Sequence, residues 1–486
     1  MGKHITDFLL YRWRYIVGYA VIGLATTALL IVAGLLIPGG LSEAEMQSVV
    51  RSSALSFDTF TPDMIVNLPY QLLQRVSIDL LGVTHLSIKL PSLILGLLTI
   101  LGMIILLRAW FRRNVAIIAT VLVITTGQFL FVAQSGTPSI IYIFWSVWLL
   151  AAALMVSRHA KPSFLWKIVV FAAAALSLYT PLSIYILLAL LSAAVLHPHL
   201  RYIIRKLPKG KTTVALLVAL LLVAPLNYAI IKDPSIGLTL LGVPEQWPNL
   251  WQNALQLLSQ YFNFVNPSGA TNLLLPVYGL GSIILLALGV YHLATTKYTA
   301  RSYIVSTWTI LLIPILIINP RFTSITFVPV LLLMAMGIYT LLRSWYQLFP
   351  RNPYARIAGL IPLAILIGGL VLSGVNRYMN SYLYDPRLAS NFSSDLWLVN
   401  KQLTDQKGTV ALIVSDQEAP FYTVVATHKQ NVTINPSDTT TAGTVIISKA
   451  AMPTKTDKPI TVPTQIVTNS RSNEADRFYI YKSAEK

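Results

Sequence analysis

Residues 88–107 read IKLPSLILGLLTILGMIILL, twenty positions with a single charge, Lys89, next to the start. An apolar helix of about 20 residues crosses about 30 Å of hydrocarbon, so this stretch reads as a membrane span. Applied outward, the same reading finds ten more runs, near 15–37, 114–133, 138–156, 164–178, 180–196, 212–231, 274–294, 302–319, 323–342 and 356–375. Residues 164–196 are continuous apolar sequence, divided only at Tyr179-Thr180-Pro181, where proline disfavours a continuous helix. The first run is too long for a signal-peptide core and lacks a small-residue cleavage pattern after it, so it is expected to be retained as a span.

Composition points the same way. The 486 residues are 55% hydrophobic and 11% charged, far from the soluble average, and the expected fold is an all-α polytopic membrane protein with about eleven transmembrane helices. The chain has no cysteine, which excludes disulfide scaffolds, thiolate metal sites and cysteine nucleophiles.

A net charge of +18 would suit a nucleic-acid partner, so the placement of the charges decides what it means. With the N-terminus cytoplasmic, nineteen Lys and Arg fall in inside segments, with Asp7 as the one acid there. The outer loops hold only Arg51, Arg75, Lys89, Lys232 and Arg321, against Glu43, Glu45, Asp58, Asp63, Asp79, Asp233 and Glu245. Nineteen against five is a positive-inside bias, and it absorbs the net charge without any nucleic-acid patch.

Two outer segments are long. In 38–87 two short amphipathic helices are expected, the second with Pro69, Leu72, Leu73, Val76 and Leu80 on one face against lipid or the underlying spans. Gln71, Gln74, Arg75 and Asp79 then turn to a cavity or to water. In 232–272, Trp247 and Trp251 precede an apolar helix and suit the headgroup level. After 375 the chain becomes polar, with a helix near 393–403 and β-rich runs at 409–415, 421–427, 431–434, 444–448 and 478–481. The expected domains are a multi-span domain over 1–379, which includes the 38–87 loop, and a small extracytoplasmic α/β domain over 380–486. Asn391-Phe392-Ser393 and Asn431-Val432-Thr433 match a glycosylation sequon, a pattern short enough to recur by chance.

Chemistry is sought among the outer charges, since ionisable groups at hydrocarbon are costly and tend to be functional. Ser42 and Glu45 have the spacing of a capping box, a structural use for Glu45. Glu43 at the first helical position either complements the helix dipole or stands ready as a base. Lys89 and Arg321 sit at span ends, where snorkelling is the ordinary explanation. His197 and His199 lie in a basic inner loop, where solvation is the simpler reading than metal binding.

Ser42-Glu43-Ala44 after an inside-starting span, Asn67-Leu68-Pro69-Tyr70 opening a flat helix, Gly82, and Ile88-Lys89-Leu90-Pro91-Ser92 entering the next span form an ordered series. This series resembles the GT-C integral membrane glycosyltransferases of the protein-mannosyltransferase and aminoarabinose-transferase type, which show Asp-Glu-Ala, Pro-Pro-Leu-Tyr, Gly and Arg-Leu-Pro-Ser in that order. The likeness extends to Arg108–Arg113, Thr126-Gly127-Gln128-Phe129-Leu130, Asn319-Pro320-Arg321-Phe322 and a C-terminal outer domain, and so covers most of the chain as a layout. Two family acids are missing: the first-loop aspartate falls at Ser42, and the acid after the third span falls near Ser139.

The resemblance implies transfer of a sugar from a polyprenyl-phosphate donor to an acceptor glycan, lipid or protein on the outer face of the cell envelope, with inversion. Glu43 or Glu45 would be the base, and Arg321, Lys89 and Arg51 would hold the leaving phosphate. The donor and membrane lipid are the implied partners; no cofactor is specified, and a divalent metal remains compatible. The alternative is a non-catalytic lipid-linked-glycan binding or assembly protein that keeps the fold, motivated by Ser42 and Ser139. An ion-coupled transporter is disfavoured, because the spans carry no buried acid or base for a relay.

Overall fold

The computed structural model describes residues 13–55, 61–158, 163–262, 275–296, 299–348, 353–405, 408–429, 431–436, 443–452, 462–469 and 476–482. Lys3, Asp7, Arg12, Asp58, Lys161, Lys297 and Arg351, which entered the charge count, lie outside them. In chain order the helices are α1 (Trp13–Leu35), α2 (Glu43–Ser53), α3 (Leu68–Leu81), α4 (His85–Trp110), α5 (Arg113–Ile124), α6 (Gly127–Gln134), α7 (Ser139–Ser157), α8 (Ser163–Ser177), α9 (Ile184–Leu196), α10 (Pro198–Arg205), α11 (Lys209–Lys232), α12 (Ser235–Leu241), α13 (Leu250–Phe262), α14 (Leu280–Thr295), α15 (Ala300–Ile318), α16 (Phe327–Leu348), α17 (Pro353–Tyr384), α18 (Asp395–Asp405) and α19 (Ala419–Thr427). The strands are β1 (Val410–Ile413), β2 (Val432–Ile434), β3 (Thr444–Ser448), β4 (Gln465–Thr468) and β5 (Asp476–Lys482).

Among the described residues seven helices are long and apolar enough to cross a membrane, or nine if each of two bent pairs is one span. Two shorter apolar helices, Phe164–Ser177 and Leu280–Thr295, stand where two further spans were expected. The chain is thus a multi-pass membrane protein, predominantly helical, with a small sheet near its C-terminus.

The expected span at 114–133 is not straight: α5 and α6 meet at 62°. The reason is local. Thr125 Oγ1 bonds back to the carbonyls of Val121 and Leu122, Thr126 Oγ1 and N–H both turn to the Val123 carbonyl, and Gly127 follows, so the regular ladder ends here. The break at Tyr179-Thr180-Pro181 is present, between α8 and α9.

The chain divides into two compact units. One comprises 1–33, 93–134 and 139–378, and the other 34–92, 135–138 and 379–486. We call them the helical unit and the mixed unit; the 38–87 loop thus groups with the C-terminal segment. In the helical unit, glycines let helices touch. A Cβ on Gly289 would overlap the Leu333 carbonyl and one on Gly337 the Leu285 carbonyl, so α14 and α16 pack backbone to backbone.

The mixed unit is built on a five-stranded sheet of order β2-β1-β3-β5-β4, with β1 parallel to β2 and β3, and β5 antiparallel to β3 and β4. The 421–427 run, expected as strand, is the helix α19. Parallel β1 and β2 require a crossover, and Phe421, Tyr422 and Val425 form its buried face. Their core continues through Leu396, Val399, Leu412, Ile446, Phe478 and Ile480 into Leu41, Val49, Ile78 and Ile88 of the first loop. Leu41 also pairs with Ser393 as an antiparallel bridge, and a Cβ on Gly40 would come within 2.7 Å of the Ser393 carbonyl oxygen.

Helix α3 carries a correction on its polar face, since Gln71 and Gln74, expected to turn to a cavity or to water, are buried in the mixed unit. Its leucine stripe faces outward, with Leu73 48% and Leu80 77% exposed, while Tyr70, Gln71, Gln74 and Ser77 are buried. The residues they meet inside the mixed unit are serines and backbone carbonyls, so the polar face is the one the fold needs inward.

Candidate active site

The two loop acids, two residues apart, have opposite surroundings. Ser42 caps α2: its N–H and Oγ–H donate to Glu45 Oε2 at 2.8 and 3.1 Å, and the Glu45 N–H donates back to Ser42 Oγ at 3.3 Å. This is the capping box expected from the spacing. The structure adds what spacing could not show. Glu45 Oε1 accepts the Gly136 N–H at 2.6 Å and lies 3.8 Å from Lys89 Nζ, and both charged side chains are only 1% exposed. A Cβ on Gly136 would fall 2.6 Å from Ile88 Cγ2, so only glycine lets this turn reach the carboxylate. Lys89 therefore does not snorkel; it is the buried counter-ion of Glu45.

Three more buried side chains tie the same elements together. Gln74 Oε1 accepts from Ser48 Oγ and Ser52 Oγ, each at 2.7 Å, and its Nε2 donates to the carbonyls of Gly136 at 2.9 Å and Ile88 at 3.2 Å. Ser92 Oγ donates to the Ser135 carbonyl at 2.5 Å, which makes the Tyr70 hydroxyl the donor in its 2.8 Å bond to Ser92. Burial pushes the Tyr70 hydroxyl up, against the lowering effect of the Ser92 bond and with a further rise from the Glu45 charge. None of Gln74, Tyr70, Ser92 and Gly136 was expected from sequence as a site residue, and Gln74 was placed facing a cavity or water. Two of them, Tyr70 and Ser92, stand inside the motifs that carried the resemblance.

Glu43 lies exposed in the first turn of α2, its Oε1 accepting from Gln47 Nε2 at 3.2 Å. Arg51 is exposed in the last turn of the same helix. Arg321 is exposed in the 3-10 segment Pro320–Thr326 of the helical unit. His197 caps α10, its Nδ1 accepting the Leu200 N–H at 3.4 Å.

A second feature lies wholly within the helical unit. A cavity of about 410 Å³ opens between α13, α15, α16 and the 320–326 segment, lined by aliphatic side chains with Tyr261, Thr309 and Thr326 as its polar members. Tyr261 and Thr326 hydrogen-bond each other at 2.6 Å, so its wall is effectively apolar.

Residues 68–228 match the family model of dolichyl-phosphate-mannose-protein mannosyltransferases. No curated protein matches the chain significantly. The crystal structure of ArnT from Cupriavidus metallidurans in the apo state aligns over 96% of this chain and 98% of its own, with a TM-score of 0.51 at 13% identity. The same protein bound to undecaprenyl phosphate aligns over 95% and 98%, with a TM-score of 0.51 at 14% identity. The archaeal oligosaccharyltransferase AglB from Archaeoglobus fulgidus, in complex with an inhibitory peptide and a dolichol-phosphate, covers 91% of this chain and 70% of its own, with a TM-score of 0.51 at 13% identity. The chain thus shares the fold of these proteins, the GT-C fold.

Proposed function

We propose that the protein is an inverting glycosyltransferase that moves a sugar from a polyprenyl-phosphate donor to an acceptor hydroxyl on the extracytoplasmic face. The observation that carries this reading is the division between the two carboxylates: Glu45 is committed to a cap, a backbone N–H and Lys89, while Glu43 is left exposed at a helix N-terminus. Glu43 takes the proton of the acceptor hydroxyl as its oxygen attacks the anomeric carbon; the bond from that carbon to the phosphate oxygen breaks, and the phosphate leaves with the electron pair. The leaving group needs cations rather than an acid, and Arg51, exposed on the helix that carries Glu43, is assigned to it, with Lys89 kept at Glu45. The apolar cavity supports a lipid-linked donor by offering an isoprenoid chain a dry wall. The undecaprenyl phosphate in ArnT and the dolichol-phosphate in AglB support the same donor class.

Ser42 favours a second reading. It stands where the family carries an acid and is fully used as a helix cap, as suits a lipid-linked-glycan binding or assembly protein without turnover. The deciding measurement is transfer from a panel of polyprenyl-phosphate sugars by purified wild type and Glu43→Gln. Turnover reduced by about 10²–10⁴-fold in the variant supports the base. Donor binding without product, across all acceptors, selects the second reading, and absence of both overturns the two together.

A further inference from the structure

Where α5 bends into α6, the helical unit encloses a small cavity of about 50 Å³ whose lining is polar for a membrane interior. Its wall includes Thr126 and Gln128 at the bend, Tyr278 and Ser282 at the start of α14, and Ser373 and Arg377 of α17. The site is held open by close packing: a Cβ on Gly374 would overlap the Thr125 carbonyl, so α17 lies directly on the broken backbone. Gln128 is 2% exposed and its Oε1 accepts the Tyr278 hydroxyl at 2.7 Å. That bond fixes the amide, yet Gln128 Nε2 has no hydrogen-bond partner. A buried donor without an acceptor is costly, so the geometry calls for an accepting group in the cavity.

The accepting group is further defined by what surrounds it. Arg377 brings a cation into a candidate membrane span, the N-terminus of α6 presents the positive end of a half-helix dipole, and the lining residues include no carboxylate. At about 10–15 Å³ per water-sized group, the volume suits the few oxygens of one small oxyanion. We infer that this cavity is an anion site for a phosphate-type group, supplied either by a lipid headgroup or by free phosphate. It is built from residues other than Glu43, Arg51 and Arg321, and it does not depend on the transfer reaction.

The test is the melting temperature of the full chain in detergent, titrated with inorganic phosphate against chloride at equal ionic strength, and with phosphatidic acid against phosphatidylcholine in mixed micelles. A rise with inorganic phosphate assigns the site to a free oxyanion, and a rise with phosphatidic acid alone assigns it to a lipid headgroup. Gln128→Glu keeps an acceptor for the Tyr278 hydroxyl but turns a carboxylate on the anion. It should raise the concentration needed by about ten-fold or more, since a hydrogen bond to a charged group is lost. Ser373→Asp, on the exposed side of the cavity, should do the same without touching the Gln128–Tyr278 bond, and it serves if Gln128→Glu does not fold. No rise in wild type with either probe, or a rise that both variants retain, overturns the site and leaves the cavity to water.

Discussion

Glu45 and Lys89, both 1% exposed, make one buried ion pair, and that decides what each substitution does. Regarded as a cap alone, Glu45→Gln would cost under about 1 kcal/mol, because an amide still accepts and donates at a capping box. With Lys89 beside it, the same change takes a negative charge away from a buried ammonium, and a loss of about 3–5 kcal/mol is expected. Glu43→Gln, on an exposed carboxylate, should stay within about 0.5 kcal/mol. Denaturation midpoints of the two variants in detergent check this, and equal losses would remove the pair from the folding account. Lys89→Met added to Glu45→Gln should cost less than the sum of the two single changes, as for partners in contact.

At the scale of the element, α3 shows how a helical pattern can fix which residues share a face without saying what the opposite, polar face meets. Leu72, Leu73, Val76 and Leu80 do share a face, but the face is exposed, and Gln74 on the other side is fully buried. Gln74→Ala would strand two serine hydroxyls and two carbonyls, so a loss of about 3 kcal/mol or more is expected. Leu73→Asp, on the exposed stripe, should change stability in detergent by about 1 kcal/mol or less. The opposite ranking, read from thermal melts, would put the leucine stripe in the core. In a membrane protein an outward leucine stripe suits contact with the bilayer surface, which is why hydrophobicity alone did not say which side is inside.

For the whole molecule, the first loop and the C-terminal segment share one core, with Leu41, Val49 and Ile78 packed in the same cluster as Leu396, Leu412 and Phe478. Removing 380–486 should therefore leave the 38–87 loop open to limited proteolysis, and a loop as resistant as in the full chain would contradict the shared core. The charge bias predicts that this unit faces away from the cytoplasm. Because the chain has no cysteine, single replacements report cleanly: Val462→Cys, at an 89% exposed position, should react with an impermeant thiol reagent in intact cells, and Lys209→Cys only after permeabilisation. The reverse pattern would invert the topology.

The sequence by itself determined that the chain is a polytopic helical membrane protein with a small sheet near its C-terminus, because hydropathy and the lengths needed to cross a bilayer are local properties of consecutive residues. The cap at Ser42 was legible for the same reason: its partners lie three residues apart. Lys89 and Gly136 at Glu45, Gln74 under α2, and the polar cavity at the α5–α6 bend each bring together residues tens to hundreds of positions apart. Only the tertiary structure could decide these, because the energy of a buried charge or amide depends on which distant group meets it. Even the 421–427 helix, whose β-branched and aromatic residues suit a strand, was settled by the need to connect two parallel strands, a demand that the segment does not itself encode.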